Sequence, residues 1–208
     1  MRKSNSVLIL AVLGILASLV TLYLTQFRGS SANPRLPEGI GIAAAEETAR
    51  VLSNQGRVVL IVAEAKSQNL DRTTQQEAFT PIARKKGMSL LATEPLEVER
   101  PGTMGDDALN PDQFRAILQR HTEAGAFVSL VAFPVLPKEA LAELKGRKCI
   151  VVGNAGPELR RHLQEGVVQA ALFPRVQPLA TGLRPRTSQE WFNLTYEVLT
   201  PEALGSRP

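Results

Sequence analysis

The sequence predicts an α/β domain, a three-layer, doubly wound and mainly parallel sheet of five to six strands, preceded by one transmembrane helix. Three observations carry that expectation. Short apolar runs recur along the chain, and the first of them, "RVVLIVA", has no polar residue between Val58 and Ala63, as suits a strand covered on both faces. Segments with helical periodicity separate the runs. Each helix in the series ends in glycine, the local chemistry a regular alternation of strand and helix requires.

The elements follow in chain order. "AAAEETARVLSNQG" is helical in composition, with Gly56 as its C-terminal cap, and leads into the first strand at Arg57 to Ala63. "TTQQEAFTPIARKKG" aligns Ala78, Phe79, Ile82 and Ala83 on one stripe, with Thr73 or Thr74 as cap and Gly87 as stop; Pro81 should kink or shorten it. "MSLLATEPL" is the second strand. "NPDQFRAILQRHTEAG" carries the clearest helical signal, with Asn110 as cap, Pro111 in the first turn, Phe114, Ile117 and Leu118 inward and Gly125 at the stop. "AFVSLVAF", "RKCIVVG" and "VVQAALF" complete the strand series, with "PKEALAELKG" and "PELRRHLQEG" as the helices between them. The tail "WFNLTYEVLT" alternates, Phe192, Leu194, Tyr196 and Val198 against Asn193, Thr195 and Glu197, and reads as one more strand, half exposed or at an edge.

Upstream of the domain, Ser6 to Leu24 is apolar apart from small hydroxyls and glycine. At about 1.5 Å per residue it nearly matches a hydrocarbon layer of ~30 Å. The sequence therefore divides into a cytoplasmic stub at 1–5, a transmembrane signal anchor at 6–26, a linker at 27–39, an extracytoplasmic domain at 40–204 and a disordered tail at 205–208. Arg2 and Lys3 before the apolar run leave the N-terminus in the cytoplasm and send the domain across the inner or plasma membrane. The alternative is a secreted form cleaved near Ala32, in the small-residue stretch Ser30-Ser31-Ala32.

Bulk composition narrows the functional classes. A hydrophobic share of 44% over 208 residues excludes disorder throughout, and the net charge of +4 comes partly from Arg2 and Lys3. The other charges alternate in sign along the helices, so nucleic acid is not an expected partner. Cys149 is the single cysteine, so an intrachain disulfide and a zinc site needing two thiolates are both excluded, and inside an apolar strand it should behave as an inert small hydrophobe.

The order of elements from Val58 to Phe173 resembles one lobe of the type-I periplasmic sugar-binding proteins, whose LacI-like fold is related in plan to flavodoxin-like sheets. The resemblance rests on "VVLIVA", on "ARKKGM" leading into "SLLATE", on "AGAFVSLVAFPV" and "GRKCIVVGN", and on the closing "LQEGVVQAALFPR" and "YEVLTPE". It implies a solute-binding role with sugar as ligand. It also implies a difficulty: the family uses two lobes of comparable size, and this chain carries one, so a cleft between lobes cannot form within one copy.

In a doubly wound sheet ligands bind beyond the carboxyl ends of the strands, which selects Glu64, Lys66, Asn154 and Arg175 as the ligand- or partner-binding residues. The stretch "GNAGP" at 153–157 lacks the spacings of nucleotide-binding loops, and Pro157 removes an amide that a phosphate would use. It reads as a strand-to-helix turn, with weak anion binding as the alternative. His121 falls on the inward stripe of its helix as a partly buried packing histidine, and His162 lies between arginines and a leucine. No histidine pair has metal-ligand spacing. Asp106 and Asp107 share a glycine-bearing loop, an exposed setting that does not separate two carboxyl pKa values. No catalytic residue, metal or cofactor is expected.

The leading expectation is thus a membrane-anchored, non-enzymatic, substrate-binding-protein-like domain for ligand sensing or protein interaction. One alternative is a solute-binding component of a sugar ABC transporter that completes its cleft with a second chain, and another is a hydrolase on the same sheet. A homodimer partner or a transporter or receptor subunit would supply the missing half.

Overall fold

The computed structural model describes residues 34–63, 70–96, 110–136, 138–144, 146–153, 156–176 and 185–205. The elements are α1 (Arg35–Val51), β1 (Gly56–Ala63), α2 (Leu70–Lys85), β2 (Met88–Leu96), α3 (Pro111–Arg120), β3 (Ala126–Ser129), α4 (Lys138–Glu143), β4 (Lys148–Val152), α5 (Pro157–Gln164), β5 (Ala170–Pro174), α6 (Ser188–Thr195), β6 (Tyr196–Leu199) and α7 (Pro201–Gly205). They build one six-stranded sheet in the order β2-β1-β3-β4-β5-β6. The first five strands are parallel and β6 runs antiparallel to β5 at the edge.

Alternation along the strands sorts the core into two. Val59, Ile61, Phe127, Cys149, Val151, Ala171 and Phe173 pack on one face with Phe114, Ile117 and Leu118 of α3 and Leu159 and Leu163 of α5. Val58, Leu60, Ala126, Val128, Ile150, Val152, Ala170 and Leu172 pack on the other with α1, with Phe79 and Ala83 of α2 and with Phe192 of α6. Unbroken apolar runs are what a strand needs when both of its sides meet a helix layer.

Several boundaries differ from the sequence reading for identifiable reasons. Residues 35–39, expected in the linker, form the first turn of α1. Pro37 and Gly39 are buried there, because α1 lies against both α2 and α6. A Cβ on Gly39 would overlap the backbone oxygen of Ser188, and one on Gly41 would overlap that of Gln75. The close approach explains the composition "GIGIAAAE": helices this near each other leave room only for hydrogen or methyl side groups. α1 stops through Ser53 and Asn54, both with positive φ (54° and 61°), and not at Gly56, which already begins β1.

α2 starts at Leu70, before Thr73 and Thr74, and runs on through Pro81 without shortening. Pro81 and Glu77 are both exposed, so water can take the Glu77 carbonyl that a proline leaves without its helical partner. Gly87, with φ of 82°, is the stop that the sequence expects. α3 is capped by the Asn110 side chain, which accepts hydrogen bonds from the backbone N–H groups of Asp112 (2.9 Å) and Gln113 (3.3 Å).

The largest difference is in the tail. Residues 188–195 form α6, and only 196–199 form a strand. Thr187 and Glu190 make a reciprocal capping box, which fixes a helix start that the apolar alternation hid. Phe192 is the buried anchor of α6 and stacks on Tyr196 with ring centroids 5.9 Å apart. The expected transmembrane segment at 6–26 lies outside the described residues, and no described helix is long and apolar enough to cross a membrane.

Two substitutions test the packing. Phe114→Ala removes a buried ring in edge contact with Phe133 and should cost ~3 to 5 kcal/mol in denaturant unfolding. Gly41→Ala adds one methyl against the Gln75 carbonyl and should cost ~1 to 3 kcal/mol, despite alanine's better helix propensity. A stabilising Gly41→Ala would show that α1 and α2 are not in close contact in solution.

Candidate functional site

The strand order reverses between β1 and β3, so the crevice of this sheet opens at their carboxyl ends. Glu64, Lys66 and Asn154, three of the four residues selected from sequence, lie outside the described residues. Arg175 is described, directly after β5.

Arg175 is held by its own domain. Its backbone N–H donates to the Thr195 carbonyl at 2.8 Å, its Nε donates to the Asn193 carbonyl at 3.2 Å, and its Nη1 lies 3.4 Å from Glu197 Oε2. These contacts tie the end of β5 to α6 and β6. The side chain is partly exposed, so the guanidinium has a fixed origin and a solvent-facing portion at the rim.

The β3 end is built more tightly. Ala132 has φ of 89°, a left-handed conformation uncommon for a residue with a Cβ. Three bonds hold it there. Ser129 Oγ donates to the Ala132 carbonyl at 2.5 Å and accepts from the Val131 N–H at 3.4 Å, and the Ala132 N–H donates to the Val152 carbonyl at 2.9 Å. Ala132 also explains Gly153 on the neighbouring strand end: a Cβ on Gly153 would fall 2.9 Å from the Ala132 Cα. The glycine that opens "GNAGP" thus serves close packing of two strand ends, and Pro157 takes the first position of α5 as a turn-to-helix junction requires.

Val135 and Val176 follow β3 and β5, on either side of β4, and are 69% and 91% exposed. They are the large apolar side chains most open to solvent among the described residues, and both sit on the carboxyl edge. Sequence reasoning picked out polar residues at strand ends and passed over them; a valine among prolines in "FPVLP" and after "FPR" was the available signal.

The two histidines differ. His121 is partly buried, as its place on the helix stripe implies, and its Nε2 lies 2.6 Å from Glu94 Oε1. Arg120 Nη1 reaches Glu94 Oε2 at 2.6 Å. Burial acts to raise the Glu94 carboxyl, but the hydrogen bonds from His121 and Arg120 outweigh it and hold the carboxyl below its usual range. This cluster clamps β2 to the end of α3. His162 is buried on α5, with neither ring nitrogen hydrogen-bonded and its ring edge-on to Phe133 at 5.4 Å. Glu165 Oε2 approaches Nδ1 only to 3.8 Å. Burial, helped by the Arg161 charge, pushes the His162 pKa down. Cys149, buried near the start of β4, has its thiol pushed up to about 12 by burial.

No protein-family model matches the chain, and no curated protein sequence matches it. Solved structures do. AraP, an arabinose-binding protein from Geobacillus stearothermophilus, matches with a TM-score of 0.58 at 18% identity, over 81% of this chain and 62% of that one. A carbohydrate transporter solute-binding protein from Agrobacterium radiobacter, in complex with D-arabinose, matches with a TM-score of 0.57 at 12% identity, over 82% and 61%. A XylFII–LytSN complex matches with a TM-score of 0.54 at 13% identity, over 80% and 60%. The chain has the fold of the type-I periplasmic sugar-binding proteins and spans about three-fifths of the length of these relatives.

The buried His162 gives a pH prediction. Its folded form favours the neutral ring, so the stability it contributes is complete above the unfolded pKa of ~6.5 and is lost as the pH falls through that value toward the depressed folded one. His162→Phe should flatten the fall in stability between about pH 6.5 and pH 5 relative to the parent chain in urea unfolding. Parallel curves for the two proteins would show that His162 is hydrated or paired in solution.

Proposed function

We propose that this chain is a membrane-anchored, extracytoplasmic domain of the substrate-binding-protein type, non-enzymatic, which acts in ligand sensing or protein interaction through the carboxyl edge of its sheet. The observation that carries the reading is the rim itself. Val135 and Val176 stand exposed on both sides of β4, Ala132 and Gly153 form a tightly packed floor between them, and Arg175 is anchored beside Val176. Glu64, Lys66 and Asn154, which follow β1 and β4 in the chain, are proposed as its further polar contacts. An apolar rim with a few polar groups suits sugar rings, which offer both C–H faces and hydroxyls, and it equally suits a protein surface. Arg175 supplies a planar donor for a carboxylate or for paired hydroxyls.

The anchor is the apolar run at 6–26, with Arg2 and Lys3 setting its orientation, which places the domain on the periplasmic side. Sugar binding by relatives of the same fold supports a carbohydrate as ligand class.

A second reading is favoured by one observation. The chain matches only about three-fifths of each relative, so a single sheet with its helices offers a rim where a small-molecule site needs a concave pocket. Under that reading it is a solute-binding component of a sugar transporter whose cleft is completed by a second copy or by a transporter or receptor subunit.

Calorimetric titration of the full chain in neutral detergent with D-arabinose, myo-inositol and an amino-acid panel, alongside its mass in solution, separates the readings. As a monomer it should bind these sugars with Kd no tighter than about 1 mM, and Arg175→Ala should weaken any binding further. Micromolar binding by a proven monomer would make it a self-sufficient receptor, and micromolar binding only by a dimer would favour the completed cleft.

A further inference from the structure

His162 is a histidine in a place that suits a hydrophobe. It shares the buried stripe of α5 with Leu159 and Leu163, and neither of its ring nitrogens has a hydrogen-bond partner among the described residues. A phenylalanine or leucine would fill the position without leaving a donor and an acceptor unmet, which buried polar groups rarely are. Imidazole has one property that those side chains lack: it takes up a proton close to neutral pH.

The ring has two alternative neighbours. It packs on Phe133, with centroids 5.4 Å apart and planes at 62°. Glu165, half exposed at the end of α5, holds its Oε2 3.8 Å from Nδ1, beyond hydrogen-bond reach. The neutral ring suits the first neighbour. A protonated ring does not, because the attraction of a cation to an aromatic face is smaller than the cost of burying a charge without a hydrogen-bond partner. A short turn toward Glu165 supplies that partner and brings the charge nearer to water. On α5 itself, Arg161 opposes the proton while Glu165 and Glu158 favour it. Among the described residues, the elements around the ring add little charge. β5 is apolar from Ala170 to Pro174, residues 130–136 are uncharged, Glu202 of α7 is turned to Thr200, and Glu143 of α4 is paired with Arg115.

Phe133 connects this histidine to the rim. Its ring is held on one side by His162 and on the other by Phe114, at 5.4 Å. It directly follows Ala132, whose left-handed backbone depends on three hydrogen bonds, and stands two residues before the exposed Val135. We propose that His162 is an acid-operated latch on the carboxyl rim: protonation turns its ring from Phe133 to Glu165, and the loosened Phe133 lets residues 133–136 shift Val135. This latch presupposes that the rim is the binding surface proposed above, and it adds regulation, with the rim fixed at neutral pH and released in acid. The released form holds one more proton. Its share relative to the closed form therefore rises by up to about tenfold for each pH unit below the ordinary histidine value of ~6.5.

The full chain in neutral detergent reports the movement without any ligand. Val135→Cys is labelled with monobromobimane, which the buried Cys149 does not take up, and emission is followed from about pH 8 to about pH 5. A reversible change centred below about pH 6.5 is expected, with constant far-UV circular dichroism. The sequence has two histidines, so each can be removed in turn. The change should disappear in His162→Phe, or in His162→Gln if that variant does not fold, and persist in His121→Gln. In Glu165→Gln it should move down by about 0.3 pH unit or more. The same label at Gln55→Cys, exposed at the opposite end of the sheet, should stay constant. A flat response at Val135, one that survives removal of His162 or vanishes with His121, one unmoved in Glu165→Gln, or an equal response at Gln55 would each overturn the latch. The sugar titration at neutral pH judges the rim separately, so failure of one leaves the other standing.

Discussion

Four neighbouring parallel strands, β1, β3, β4 and β5, are apolar on both sides and leave the centre of the sheet no polar face to turn to water, and the rest of the structure answers to that constraint. Each face needs its own helix layer, and each layer must approach closely enough to exclude solvent. On one side α3 and α5 do this with Phe114, Leu118, Leu159 and Leu163 reaching down to the strands. On the other, three helices share the cover, and α1 fits between its neighbours because Gly39, Gly41 and a run of alanines give it almost no side-chain thickness there. The small residues of α1 and the large ones of α3 are two solutions to the same requirement.

The constraint also decides where chemistry can occur. With both faces covered, polar groups meet solvent mainly at the two edges of the sheet and on the outer faces of the helices. The carboxyl edge gathers strained and closely packed backbone at Ala132 and Gly153, an anchored guanidinium at Arg175 and two exposed valines. Among the described residues, the amino edge exposes the cations Arg57, Lys86 and Lys148. The two edges thus differ as apolar differs from cationic, although the same strands end at both.

The strands and their direction were legible in the sequence because an unbroken apolar run has few other uses in a chain of this composition, and the helix stripe at Phe114, Ile117 and Leu118 was legible because its cap and its period agree. Where two signals conflicted, the reading failed. In "TSQEWFNLTYEVLT" the alternation of Phe192, Leu194, Tyr196 and Val198 favoured a strand, while Thr187 and Glu190 specified a helix start; the cap prevailed, and Leu194 is only half buried on α6. The linker composition around Pro34, Pro37 and Gly39 hid a helix because proline in a first turn and glycine at a close contact look the same as a loop when the neighbouring helix is out of view. Ser129 and Ala132 were not legible at all, and the two valines of the rim only as apolar residues set among or after prolines, since their roles come from strand ends that are distant in sequence.

The lone thiol at Cys149 has one more consequence. It sits second in β4, buried in the core layer shared with α3 and α5 and with its ionisation pushed out of the physiological range. An alkylating reagent can reach it only when the core layer over it opens, so the chain carries its own clock for that opening. Any cysteine added to the surface would be the single rapidly labelled position, and two probes in one molecule, one fast and one slow, would then report separately on local exposure and on the lifetime of the native sheet.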